Sequence, residues 1–382
     1  MWMTLLYGGM AALFLAITIA TLRSLRWVGR LPAWESFTTP APIPARVSVV
    51  IAARDEEARI EGTLRHLLAQ RGVDAEVIVV DDRSTDRTNE VLKRIAREDA
   101  RVKVKRVEAL PEGWLGKCHA CHVGASVATG DWILFTDADC WLKPDVIARA
   151  LQVAERDGAD HISMTPGTVI EGFGARAWHV FITTTFLDLI AGVNRDKPRA
   201  YFGIGAFNLV RTTAYRDCGG HEALRLTVVD DMKLGLLLSR AGKRTRGFLG
   251  MGDVECHWGT TLRGMVKIME KNYFAAMDYR LGLALAASAV WLIMTSLVVS
   301  GLFSGTVVGV VAGLSPLAMV LPSVIVARRL GWSWLSAVGM PFMAPVFVYT
   351  LLNSTLVTVR QGGIRWRETF YPLETLRKGN VR

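Results

Sequence analysis

A chain of 382 residues that is 51% hydrophobic and only 21% charged, with a mean hydropathy of +0.27, is too apolar to be wholly water-soluble. The net charge of +10 gathers beside apolar segments, at Arg23, Arg26 and Arg30 and at Arg328 and Arg329, which suits anionic lipid headgroups rather than nucleic acid. Five cysteines, an odd number without a regular framework, read as reduced cytoplasmic thiols rather than a disulfide scaffold.

Residues 1–22 carry no charge and run directly into Arg23, Arg26 and Arg30. A secretory leader has its positive charge before the apolar run and a small-residue cleavage site after it, the opposite polarity. Residues 1–30 are therefore expected to be an uncleaved transmembrane anchor with its N-terminus outside and the following domain in the cytoplasm. Residues 31–45, with four prolines between Pro32 and Pro44, are expected to be a linker.

From 46 to 260, short β-type runs alternate with helical spacing. Val47–Ala52, Ala75–Val80, Val102–Val107 and Trp132–Phe135 are strand candidates, and Ile60–Leu68, Thr88–Ala96 and Val146–Ala154 carry helical periodicity. Near-continuous apolar strands separated by helices indicate an α/β domain with a mostly parallel sheet covered on both faces.

Beyond Trp258, Leu262, Met265, Val266, Met269, Tyr273 and Met277 recur every three or four residues, with Arg263, Lys267 and Lys271 on other faces. Residues 261–280 are expected to form an amphipathic helix lying on the membrane, the alternative being a helix packed on the domain. Leu281–Phe303, Thr306–Ala327 and Leu335–Val359 are each of spanning length, making 281–359 a transmembrane region. Three spans would leave the tail 360–382 outside, although Arg360, Arg365, Arg367, Arg377, Lys378 and Arg382 outweigh Glu368 and Glu374 there. Pro341 and Pro345 are expected to break the last stretch into a re-entrant hairpin that returns the basic tail to the cytoplasm. The expected setting is a multi-pass protein of the cell (inner) membrane.

Acids mark three strand ends. The first strand runs into Ala53-Arg54-Asp55 and the second ends Val80-Asp81-Asp82, where loops of a doubly wound sheet converge on ligands. Carboxylates there accept hydrogen bonds from the N–H and hydroxyl groups of a nucleotide, while Asp86 or Ser84 suits a helix cap. The fourth strand runs into Thr136-Asp137-Ala138-Asp139. A D-x-D on an extended chain puts both carboxylates on one side, the oxygen set that Mg²⁺ or Mn²⁺ prefers. Further on, Asp230-Asp231 before Met232-Lys233-Leu234 is either the acidic first turn of a helix or a general base at an acceptor site. Cys118-His119-Ala120-Cys121-His122 satisfies the haem-attachment pattern, but it falls on an expected cytoplasmic helix without a second Cys/His pair, so neither haem nor zinc is expected.

Together these residues resemble glycosyltransferase family 2, the inverting enzymes with a GT-A fold, from about Arg46 to Tyr279. The resemblance implies a Rossmann-like catalytic domain that transfers a sugar, from a nucleotide sugar such as a UDP-hexose, to an acceptor. By it, Ala53, Asp55 and Asp82 would contact the nucleotide, and Asp139 with Asp137 would hold Mg²⁺ or Mn²⁺ on the diphosphate. Asp231 would be the base, with Asp230 beside it. The segments 110–117 and 203–220, and Lys271-Asn272-Tyr273-Phe274-Ala275, resemble the membrane-bound branch acting on carotenoid, hopanoid or sphingolipid-type acceptors. That narrower likeness implies a lipid-like hydroxyl or carboxyl acceptor at the cytoplasmic membrane face and puts Lys117 near the diphosphate. Relatives with Q/R-x-x-R-W after the base have their nearest counterpart here in Gln361-Gly-Gly-Ile-Arg365-Trp366, one residue too long, making Arg365 and Trp366 a candidate acceptor or diphosphate clamp. A polysaccharide synthase-like transferase and a non-catalytic membrane scaffold are the competing expectations. A nucleotidyltransferase would carry a Gly-rich loop that 47–57 lacks, and a transporter would carry ionisable residues within its spans.

Overall fold

A computed structural model describes residues 1–37, 45–257 and 259–381. The 38–44 part of the expected linker lies outside the described residues, as do Trp258 and Arg382. The chain forms two compact units: 28–169 with 189–258 and 378–382, and 1–27 with 170–188 and 259–377. The residues 170–188, expected within the α/β domain, instead belong to the second unit.

The first unit is built on an eight-stranded sheet. Its strands are β1 (Arg46–Ala53), β2 (Asp74–Asp82), β3 (Val102–Val107), β4 (Trp132–Phe135), β5 (Cys140–Leu142), β6 (His161–Thr168), β7 (Asn208–Arg211) and β8 (Thr245–Cys256). They lie in the order β3-β2-β1-β4-β7-β6-β8-β5. The block β3-β2-β1-β4 is parallel throughout, β6 and β8 are parallel, and β7 and β5 run antiparallel to their neighbours. The first four strands coincide with the sequence expectation: β1, β2 and β4 are near-continuous apolar runs buried on both faces, whereas the edge strand β3 buries only Val102 and Val107 and exposes Lys103, Lys105 and Arg106. Val47, Val49, Ile51 and Ala53 enter one core with Val77 and Val79, whereas Val50, Ile78 and Val80 enter the other. The later four escaped notice: β6 contains Pro166 and Gly167, at which its register with β8 shifts, and β7 has only 4 residues.

Cys140 and Cys256 stand opposite one another in the β5–β8 pair, with Cα atoms 4.4 Å apart, and form a disulfide. This corrects the expectation of five reduced thiols. The pair is separated by 116 residues, so only sheet register brings it together. Cys118, Cys121 and Cys218 are free.

In the second unit four helices are long and apolar enough to cross a membrane: Trp2–Ser24, Leu281–Leu302, Val307–Arg329 and Met340–Gln361. Leu5, Leu13, Leu15, Leu285, Leu292 and Ile293 are exposed on them, as lipid-facing residues would be. The N-terminal helix packs on the later apolar helices. Tyr7 and Met10 pack with Ala312, and Tyr7 donates to Ser300 Oγ at 3.3 Å. Pro345 sits in the first turn of the unbroken helix Ala344–Gln361, and Pro341 in the first turn of the 3₁₀ segment Met340–Met343. The break expected within 335–359 thus falls ahead of that helix, where a missing N–H costs nothing.

The amphipathic helix is Leu262–Ala276, capped by the Thr261 hydroxyl accepting the Gly264 N–H. Ser354 Oγ accepts the Phe274 N–H at 3.0 Å and donates to the Glu270 carbonyl at 2.6 Å, so one side of it packs on Ala344–Gln361. The expected basic tail opens with a hairpin, Gly363–Trp366 paired with Thr369–Pro372.

Candidate functional site

Strand order explains where polar groups collect. β1 has β2 on one side and β4 on the other, so crossovers leave to opposite faces and a crevice opens beyond the carboxyl ends of these strands.

The loops after β1 and β2 are tied together. Asp55, at φ 54°, donates its N–H to Ser84 Oγ at 3.0 Å, and its Oδ1 accepts the Thr85 N–H at 2.8 Å. The Glu56 N–H donates to Thr88 Oγ1 and the Glu57 N–H to Asp86 Oδ2, at 2.8 and 3.1 Å. Asp86 also accepts the Thr88 N–H at 2.9 Å, the helix-start role expected of it or Ser84. Asp82 is buried and receives both ends of the Arg83 guanidinium, at 2.7 and 3.0 Å. A Cβ on Gly116 would strike that carboxylate, so only glycine lets the helix Gly116–Ser126 start there and put Lys117 into the crevice.

Beyond β4 the chain turns at Ala138–Asp139 instead of continuing as a strand, so the D-x-D carboxylates are gathered by a turn and not by strand alternation. Thr136 Oγ1 donates to the Ala206 carbonyl at 2.8 Å, and the Ala138 carbonyl accepts the Thr63 hydroxyl at 2.7 Å. The Asp139 carbonyl accepts the His257 N–H at 3.1 Å. Burial pushes the Asp139 carboxyl up to about 6, with the charges of Asp137 and Glu56 adding to it and Arg59 opposing. A half-buried acid crowded by two others is a place where a hard divalent cation relieves repulsion, and the donor set is all oxygen. Asp137 and Asp139 therefore fit a Mg²⁺ or Mn²⁺ site.

Asp230 and Asp231 open the helix Asp230–Arg240, so both readings of this pair apply at once: they form its acidic first turn and they face the cleft. Asp231 Oδ2 accepts the Gly205 N–H at 2.7 Å and Oδ1 accepts the Met232 N–H at 2.8 Å. Burial raises its pKa, the charge of Asp230 raises it further, and Lys117 counters both. Lys117 Nζ lies 2.8 Å from Asp137 Oδ1 and 3.7 Å from Asp230 Oδ1. Burial pushes its pKa down, but the charges of Asp137, Asp230 and Asp231 outweigh this and hold it well above the ordinary lysine value. The ammonium thus links the D-x-D to the acid pair.

Lys117, Asp137, Asp230 and Asp231 line one cleft, with Ala52, Gly205 and Asn208. Asp139 adjoins it through Asp137. Ala53 is buried in the core, and Ala52 is the β1 residue at the cleft wall. Asp55 and Asp82 sit at neighbouring loop positions among the contacts given above. Arg365 and Trp366 belong to the other unit, where the Lys271 ammonium stands 3.7 Å over the Trp366 ring and Arg365 faces Phe370.

Sequence reasoning missed Cys121 and His221, which also line the cleft, and His257 beside Asp139. His221 directly follows Gly219-Gly220, at the edge of a segment already singled out, and was the accessible signal. In the C-x-x-C-H stretch, Cys118 and Cys121 are buried while His119 and His122 turn towards Trp114. The ligand atoms of Cys121, His221 and Asp230 lie within 4.8 Å of one another, a zinc-like trio. The Lys117 ammonium already supplies the positive charge at Asp230, which disfavours a second cation there.

Residues 48–219 match the sequence model of glycosyl transferase family 2. The 4,4'-diaponeurosporenoate glycosyltransferase of Staphylococcus aureus (strain USA300) is 28% identical over 193 residues, 50% of this chain and 50% of that protein. The chain thus spans about half the length of the curated relatives it matches. Among solved structures, the mannosyltransferase PcManGT from Pyrobaculum calidifontis, in complex with GDP-Man and Mn²⁺, superposes with a TM-score of 0.55 at 16% identity, over 93% of this chain and 98% of that one. The sheet is that of the GT-A fold.

Proposed function

Since the chain carries a glycosyl transferase family 2 domain on a GT-A sheet, we propose that it moves a hexose from a nucleotide sugar, a UDP-sugar by preference, to a lipid-like acceptor at the cytoplasmic face of the cell membrane. The observation carrying this reading is the Lys117 ammonium placed between Asp137 of the D-x-D and Asp230 of the acid pair, in the crevice at the strand ends. Asp137 and Asp139 would hold the divalent ion, which when bound neutralises the charge developing on the leaving diphosphate. Lys117 is a half-buried cation one side chain away, suited to the diphosphate oxygens once substrate draws it from Asp137.

Asp231 is the base. Its raised pKa brings it towards the working range of a carboxylate that must accept a proton, and Lys117 opposes that rise. The Gly205 N–H fixes one oxygen, so the carboxylate is oriented before the acceptor arrives. The acceptor hydroxyl or carboxyl attacks the anomeric carbon from the face opposite the diphosphate, and one displacement inverts the configuration. An acceptor of carotenoid or related type fits the four apolar helices and the relative that bears the diaponeurosporenoate name.

The test is UDP release by the full chain in detergent or vesicles, screening UDP-sugars with and without Mn²⁺ and a lipid extract. Release requiring both metal and lipid supports the reading. Absence of release together with absence of UDP binding would leave the non-catalytic scaffold, and long saccharide products would instead mark a polymerising synthase.

A further inference from the structure

His221, which lines the back of the cleft, and Tyr215 behind it are two polar side chains that the proposed chemistry does not use. With Asp230 they form a buried chain leading from the core to the site. The Tyr215 hydroxyl stands 3.0 Å from His221 Nδ1 and its oxygen also accepts the His221 backbone N–H at 2.9 Å. On the other edge of the ring, Nε2 is 3.5 Å from Asp230 Oδ2. The three residues are 6%, 2% and 4% exposed, so water contributes little and their polar atoms depend on one another. The Phe135 ring, 4.6 Å from the imidazole and 5.2 Å from the phenol, walls the chain off on an apolar side.

These contacts favour one tautomer. The Tyr215 oxygen already accepts a backbone N–H, which leaves its one O–H to donate to Nδ1. The ring proton is then on Nε2, where it faces a carboxylate. Burial holds the imidazole neutral by pushing its pKa down, against the pull of Asp230. A neutral ring in one tautomer has a single donor, and here that donor is aimed at Asp230. The other oxygen of Asp230 faces Lys117, which in turn reaches Asp137.

We infer that His221, locked by Tyr215, is a positioning residue that holds Asp230 against Lys117 and thereby keeps the acid pair and the ammonium in register for transfer. This rests on the glycosyl-transfer reading above. Neither histidine nor tyrosine touches the reacting atoms. They act through Asp230, as an outer partner acts through the group it orients.

The experiment uses the full chain in vesicles with UDP-sugar, Mn²⁺ and lipid acceptor. His221→Phe keeps a ring and loses the donor. Its kcat is expected to fall about tenfold to a hundredfold, the range for a hydrogen bond to a charged group, with the UDP-sugar KM changing less than about threefold. His221→Gln retains an N–H near the Nε2 position and is expected to recover most of the loss, and Tyr215→Phe to lose an intermediate amount. An unchanged kcat in His221→Phe, or a loss that Gln does not relieve, overturns the inference. A second readout needs no turnover: ¹⁵N-histidine NMR, with His221→Gln used to assign its resonance among the seven histidines. The expected spectrum has an unprotonated Nδ1 accepting a hydrogen bond, converting to mixed tautomers in Tyr215→Phe. A His221 ring protonated at Nδ1 overturns the inference even if no sugar donor is ever found, whereas inactivity of the unaltered protein with every donor counts against the function alone.

Discussion

As the proposed base, Asp231 would have to be ionised to take a proton, yet it lies half-buried beside a second carboxylate. Lys117 reconciles the two, since an ammonium shared among Asp137, Asp230 and Asp231 lowers the cost of keeping them charged. Asp231→Asn keeps the shape and both acceptor positions less one, so the UDP-sugar Kd is expected to stay within about threefold. Its transfer rate should drop about a hundredfold to ten-thousandfold, the contribution of a general base. Isothermal titration beside initial-rate measurements checks this, and full transfer activity in the variant would remove Asp231 from that role. Asp139 carries a pH prediction. Its folded-state pKa, raised to about 6 from the ordinary carboxylate range, means that protonation favours the folded protein. The associated stability is fully present below about pH 4 and is lost as pH rises through about 6. A metal must displace that same proton, so Mn²⁺-dependent UDP affinity is expected to climb from pH 5 to 7. Asp139→Asn should flatten the profile and abolish the metal dependence.

At the level of elements, the site exists because helix starts and turns are drawn in tightly. Gly205 lies where a Cβ would press on the Asp137 carboxylate, and its N–H holds Asp231. Gly205→Val is therefore expected to disturb both carboxylates while the sheet, whose cores lie elsewhere, stays folded. Circular dichroism should remain that of the parent, and transfer should fall by at least about tenfold, one charged hydrogen bond being worth that much. A fully active Gly205→Val would show that this approach is not needed. The strands β1, β2 and β4 were legible as near-continuous apolar runs and β3 by its recurring valines Val102, Val104 and Val107, whereas β6 to β8 were not, because they contain a proline, glycines and paired polar residues such as His161 and Asn208. Asp230 and Asp231 were visible as an acid pair, but whether they cap a helix or face a cleft is a matter of tertiary placement. The answer that they do both is not written in a local pattern.

Across the whole molecule, the four apolar helices argue for a protein held in lipid by hydrophobic transfer rather than by charge. The basic residues beside them would add only a surface attraction, screened by salt. The full chain is expected to stay with the membrane fraction through high salt and alkaline carbonate washes and to require detergent for release. Release by salt alone would show that the helices do not span.

The sequence by itself determined the apolar helices, the parallel half of the sheet and the acidic motifs at three strand ends and one helix start, since each depends on neighbours within one or two turns of chain. The tertiary structure alone decided what spans longer separations. It paired Cys140 with Cys256 by strand register, joined the N-terminal helix to the later apolar helices, and carried residues 170–188 out of the α/β unit. It also brought Lys117, Asp137, His221 and Asp230 to one cleft from four separate segments. Burial and charge coupling act through space, so the chemistry of those groups is set by which segments meet and not by what precedes or follows them in the chain.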